Sequence, residues 1–248
     1  MFAFKPKFSL KIILIFIAFT VIGTLTHELG HIVVAKTLGY KTTLHYGSMH
    51  YNYNESTYQN DVDFIEFNKI VDQFENEITH KQPFVKKNKY TALEKLLVDR
   101  YNITKRDTLL VSLGGPAQTI ITALIGLYLL NRRKTIAKTI YSKIDWLAIF
   151  LSLFILREIF NFAGCAYKYI IYSESNFNAD EFVISRLLNL NEWIIPSVLL
   201  LLAILITTYI IFKIIPFRLR FSFIISGLIG GSLGFAIWFG FLGALILP

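Results

Sequence analysis

The sequence predicts an all-α polytopic membrane protein with about five transmembrane helices and a small mixed α/β insertion between the first and second. Two observations carry this expectation. The 248-residue chain is 54% hydrophobic and only 17% charged, with a mean hydropathy of +0.51. A soluble domain of this length rarely holds so much apolar surface. Five apolar runs also reach the roughly 20 residues that a helix needs to cross a bilayer. In lipid such runs must be helices, because no water is present to satisfy open backbone groups. A transmembrane barrel would instead show short alternating segments.

The first run, residues 10–35, has Lys5, Lys7 and Lys11 at its beginning, as a signal peptide would. It is too long for that role and has no small-x-small cleavage site, so we expect a retained helix. The second run, 108–130, and the fifth, 221–247, carry no charge; the third and fourth span 146–172 and 193–215. In the fifth, Gly227/Gly231 and Gly230/Gly234 are small-xxx-small pairs that suit close helix packing. Cys165 is the only cysteine, which excludes an intrachain disulfide or a multi-cysteine zinc site. The formal charge of +8 gathers in short loops beside the apolar runs, so it sets orientation and does not indicate nucleic acid.

Residues 39–107 form the insertion, within a single domain covering 1–248. The stretch YKTTLHYGSMHYNYN, rich in Tyr, Thr and His around Gly47, predicts short strands about a turn. Phe64, Phe67, Val71, Phe74 and Ile78 recur at helical spacing, with Asp61 or Asp63 as cap and Pro83 as breaker. A second short helix is expected from Thr91, where TALE reads as a capping box, with Leu93, Leu96 and Leu97 on its apolar side. These helices would pack on the membrane surface or on each other.

The chemistry lies in LTHELGHIVVAK, at the end of the first run. His27 and His31 are four residues apart, which on a helix stacks both imidazoles on one face, as two ligands of one metal require. Glu28 projects beside them and is placed to accept a proton from a water that zinc has acidified to a pKa near ~7. A metal and a hydrated cavity would offset what these polar groups cost inside a bilayer. Two blander readings stay open: polar residues snorkelling at a helix end, and a metal held without hydrolysis.

HELGHIVVAKTLG resembles the zinc motif of the site-2 protease family of intramembrane metalloproteases, which also lies in a transmembrane helix. SLGGPAQT resembles that family's Gly-Pro pair at the opening of the next core helix, here Gly115 and Pro116, with Thr119 in place of the family's asparagine. The likeness covers the first three runs and the loop to about Leu190. It implies a Zn²⁺ cofactor and a membrane-embedded zinc endopeptidase, with Glu28 catalytic and His27 and His31 as ligands. Its substrate would be a transmembrane or membrane-proximal peptide. The third ligand would be an aspartate from a later helix, for which NFNADEFVISRLLNL offers Asp180, with Glu181 where the family has glycine.

Other readings of the third ligand remain. Asp180 also suits a helix N-cap, and Glu55, Glu158, Glu174 and Glu181 are further candidates. A metzincin-type third histidine is absent, since Val34 and Thr37 stand at the positions concerned. The GGP turn reads either as a plain helix start or as lining for a substrate cleft. Arg157, Glu158 and Asn161 lie inside the third run, with Asn161 on the face of Arg157. They would either form a packing network or polarise a substrate carbonyl. Functional rivals are a membrane-bound zinc protease acting on soluble segments, and an inactive scaffold.

Orientation follows from charge. Lys5, Lys7, Lys11, Arg132, Arg133, Lys134, Lys138, Lys143, Lys213, Arg218 and Arg220 would share one side, against Arg186 in the opposing short loop. This predicts a cytoplasmic N-terminus in a prokaryotic cytoplasmic membrane, with the metal site toward the outer face. The resemblance implies the reverse, a site nearer the cytoplasm.

Overall fold

A computed structural model describes residues 4–52, 60–79, 87–137, 140–173, 175 and 177–248. Helix α1, Pro6–Thr37, starts at a proline, whose fixed φ and missing N–H fit the first helical turn. It ends where Gly39 takes a positive φ of 89°. Its buried residues include Ile12, Phe16, Thr24, His27, His31 and Ala35, a stripe stepping by three, four or eight residues, with Glu28 buried beside it. The histidines therefore face protein, not lipid.

The chain then forms a hairpin of β1, Lys41–Leu44, and β2, Met49–Asn52, antiparallel in the register Lys41↔Asn52 and Leu44↔Met49. Helices α2, Val62–Thr79, and α3, Lys87–Tyr101, follow and pack on each other, burying Ile70, Leu93 and Leu97. Asp61 is the cap of α2, its Oδ1 accepting from Asp63 N at 2.8 Å. The expected start at Thr91 is corrected. Helix α3 begins four residues earlier, so TALE lies in its interior, and Leu96 is exposed. The capping box was a sequence coincidence on the solvent side of a helix already under way. Pro83 lies outside the described residues.

Helix α4, Lys105–Arg132, is capped by Thr104, whose hydroxyl accepts from Asp107 N at 3.0 Å. The Gly115–Pro116 pair is thus inside the helix, not at its start, which corrects the plain helix-start reading. Pro116 has no N–H, so the carbonyl of Ser112 loses its helical partner there. The third apolar run forms α5, Lys143–Ser152, and α6, Leu156–Tyr172, with a 3₁₀ turn at Leu153–Ile155 between them. Short helix α7, Asp180–Leu187, leads to α8, Ile194–Tyr209, which continues as a π-helical turn over Ile210–Ile214. Helix α9, Phe217–Ile237, passes through a second π turn, Trp238–Leu242, into α10, Gly243–Ile246.

Among the described residues, five helical segments are long and apolar enough to cross a membrane: Pro6–Thr37, Lys105–Arg132, Lys143–Tyr172, Ile194–Ile214 and Phe217–Ile246. The chain is an all-α polytopic membrane protein with a two-stranded sheet in its insertion.

Helix α1 is the central element, packed between α4 and α9. Glycine permits both approaches. A Cβ on Gly30 would stand 2.4 Å from the carbonyl oxygen of Gly114, and one on Gly114 would stand 2.6 Å from that of Gly30. On the other side, Gly230 and Gly234 meet the α1 backbone near Ile13 and Ile17. Gly231 has ordinary room beside Phe160, so Gly230/Gly234 is the pair that sets this contact. Phe16, Phe150 and Phe223 fill the core below, with Phe16 and Phe150 ring centroids 5.0 Å apart.

Candidate metal centre

The α1–α4 crossing places two helical tracks face to face. On α1 the track is His27 and His31; on α4 it is Val111, Gly115 and Thr119, also at steps of four. His31 Nδ1 lies 2.6 Å from the carbonyl oxygen of Val111, and His27 Nδ1 lies 3.0 Å from Thr119 Oγ1. A carbonyl only accepts, and at 2.6 Å it outweighs the Gly115 N–H that lies 3.3 Å from the same nitrogen, so His31 carries its proton on Nδ1 and turns the lone pair of Nε2 outward. Thr119 holds His27 in the matching orientation. Outer-shell partners of this kind fix the ring and tautomer of metal-binding histidines.

In the middle of the α4 track, facing both histidines, sits Gly115. A Cβ there would stand 2.3 Å from His31 Nε2 and 2.4 Å from His27 Nε2. Only a residue without a side chain leaves space beside those two nitrogens.

The third participant is Asp180, at the first turn of α7. Its Oδ2 lies 3.0 Å from His27 Nε2 and 3.2 Å from His31 Nε2, and the two nitrogens are 3.2 Å apart. The N-cap position belongs to Ala179, and no side chain caps the helix, so the reading of Asp180 as N-cap is corrected. Asp180 is turned inward, to the histidines. His27, Glu28 and His31 are buried.

This triangle has the chemistry of a metal site. With the ring protons on Nδ1, as the Val111 carbonyl requires for His31 and the Thr119 hydroxyl allows for His27, the two Nε2 lone pairs and a carboxylate oxygen point at one another. That arrangement is repulsive unless a cation lies among them. Ligands on arms of about 2.0 Å around a tetrahedral ion stand about 3.3 Å apart, close to the separations found here. The triad can therefore hold a metal ion.

Glu28 is beside the triad, at the wall of a cavity of about 340 Å³. The hairpin contributes Gly47, Ser48, Met49 and Tyr51 to this wall, α4 contributes Val111 and Ser112, and α6 contributes Arg157 and Asn161. Gly115 and Pro116, expected near a substrate cleft, are buried, Gly115 against the histidines, and neither lines the cavity. The hairpin turn is anchored from the far end of the chain. Trp238 Nε1 donates to the Tyr46 carbonyl at 2.6 Å, and Tyr46 N donates to the Leu247 carbonyl at 3.1 Å.

The glutamate candidates for a third ligand divide. Glu158 and Glu181 are buried but do not belong to the group of converging donor atoms, which is His27, His31 and Asp180. Asn161 Nδ2 lies 3.5 Å from Glu181 Oε1. Glu55 and Glu174 lie outside the described residues. Sequence reasoning missed the roles of Val111 and Thr119. The available signal was the four-residue step 111, 115, 119, which mirrors 31 and 27 along an antiparallel helix.

No family model, curated protein or solved structure matches the chain.

Proposed function

We propose that this protein is a membrane-embedded zinc endopeptidase, cleaving a peptide bond within or beside a transmembrane segment of another protein, in the manner of the site-2 proteases that its HELGH motif resembles. One observation carries the reading: three metal-donor atoms converge within 3.2 Å inside a membrane-length helix bundle, with a carboxylate beside them at a cavity wall. When bound, zinc supplies the Lewis acidity that makes a water acidic near neutral pH and polarises a carbonyl.

The chain's own groups do the rest. His27 and His31 offer Nε2 because Thr119 and Val111 occupy their Nδ1 atoms. Asp180 offers Oδ2. The Glu28 carboxylate accepts a proton from water in the cavity and returns it to the leaving amine. A substrate helix must unwind to expose its carbonyl. Strand β2 pairs with β1 along one edge and lines the cavity through Met49 and Tyr51, so its other edge suits an extended peptide.

The ligand set is tested by metal analysis of protein purified without chelator. We expect about one zinc per chain. Asp180→Ala should lower zinc content sharply, whereas Glu181→Ala, at the adjacent buried position, should leave it unchanged. Full zinc in the Asp180 variant would remove that residue from the site.

The charge distribution supports a cytoplasmic N-terminus. In a Cys165→Ser background, Ile140→Cys probes the connection between α4 and α5, where Ile140 is 85% exposed. Ser175→Cys probes the connection between α6 and α7. A membrane-impermeant thiol reagent applied to intact cells should label the second and spare the first. The opposite pattern would place the metal site toward the cytoplasm.

A further inference from the structure

We infer that Arg157 is a further catalytic residue, whose guanidinium donates to the oxyanion formed when the substrate carbonyl is attacked. The inference rests on the hydrolytic reading above. Arg157 stands in the first turn of α6, directly after the 3₁₀ interruption, midway along the third membrane-length segment. A cation at that depth is expensive and normally paired. Here Nε is buried with no hydrogen-bond partner, and among the described residues Arg157 forms no ion pair. Other arginines of this chain are paired: Arg133 to Asp145 at 2.8 Å, and Arg186 to Glu192 at 3.2 Å.

The neighbouring carboxylate does not pair with it directly. Glu158 is the next residue on the helix, rotated by about 100°; it is buried and within electrostatic reach of Arg157, but its Oε1 takes no hydrogen bond. Arg157 faces the cavity shared with Glu28, His31 and Asp180, within electrostatic reach of His27 and Glu28. Asn161 shares that face, but its amide is directed at Glu181. A guanidinium with an unpaired Nε, and with no ion pair among the described residues, at the wall of a reaction cavity is preorganised for charge that develops there.

Two kinds of guest would satisfy it: a carboxylate carried by the substrate, or the oxygen of the peptide bond under attack. The cavity already holds the carboxylates of Glu28 and Asp180, so a guest carboxylate would meet like charges. A peptide carbonyl is neutral until attacked. In the step, a C–O bond forms from water to the carbonyl carbon, and Glu28 takes the water proton. The π pair moves to the carbonyl oxygen, where Arg157 stabilises it. The pair then returns, the C–N bond breaks, and Glu28 gives its proton to the amine.

The test uses detergent-purified, cobalt-loaded protein, with the visible absorption of Co²⁺ reporting ligand binding. Two probes are compared. A phosphinic pseudodipeptide presents a tetrahedral anionic oxygen in place of the adduct, whereas 2-mercaptoethanol binds through sulfur and presents none. Arg157→Ala should weaken the phosphinate about tenfold or more, the scale of one charge-assisted hydrogen bond. Binding of the thiol should be unchanged, Arg157→Lys should fall between, and added guanidinium should restore phosphinate binding to the alanine variant. Equal losses for both probes would make Arg157 a packing residue. Unchanged phosphinate binding would show that it does not reach the adduct. If the parent protein takes up no cobalt, the hydrolytic reading fails first, and this inference with it.

Discussion

Alanine in place of His27 or His31 is expected to abolish zinc binding, whereas glutamine in place of Glu28 should keep the zinc and remove hydrolysis. Among the described residues each histidine supplies one of three converging donors, and each is already locked in position by its Nδ1 partner. A site reduced to two donors loses both affinity and geometry. Glu28 lies at the cavity wall and outside the donor triangle, so metal content should not depend on it. An amide cannot accept the proton, and the loss of a general base lowers rates by about 10²–10⁴-fold. Zinc analysis paired with cleavage of a substrate accepted by the parent reads both effects. A Glu28→Gln protein that cleaves as fast as the parent would remove the glutamate from the mechanism.

The second large effect is expected at a residue with no functional group. Gly115→Ala should lower metal affinity about 10–100-fold, the range seen when the surroundings of metal ligands are disturbed. The new methyl would stand 2.3–2.4 Å from both Nε2 atoms. The rings cannot swing aside without giving up Val111 and Thr119. Gly164→Ala serves as the control, because nothing lies within 4 Å of a Cβ there. Metal affinity measured by competition with a chromophoric chelator should fall in the first variant alone. Equal affinity in the two variants would mean that α4 has more freedom at the crossing than its contacts with α1 allow.

Much of the architecture was legible in composition and run length. Five apolar stretches became five membrane-length helical segments because lipid permits little else. The pairing of His27 with His31 was equally legible, since it depends only on the 3.6-residue period of a single helix. Local signals did worse where two of them competed. TALE imitates a helix start, yet α3 was already formed at Lys87. GGP imitates another, yet the Thr104 cap had started α4 eleven residues earlier. Nothing within a few residues of either motif reveals a helix that began upstream.

The sequence by itself determined a polytopic helical membrane protein and a helix face carrying two histidines and a glutamate. Only the tertiary structure decided what meets that face. Asp180 lies 149 residues beyond His31 and becomes its neighbour through the packing of α7 on α4. The Gly30–Gly114 approach brings Val111 and Thr119 to the imidazoles. That Arg157 lines the cavity while Glu158 is buried likewise depends on how α6 is rotated in the bundle. Helical periodicity is a property of a few consecutive residues, whereas the assembly of a metal site depends on helix crossings set by contacts far apart in the chain.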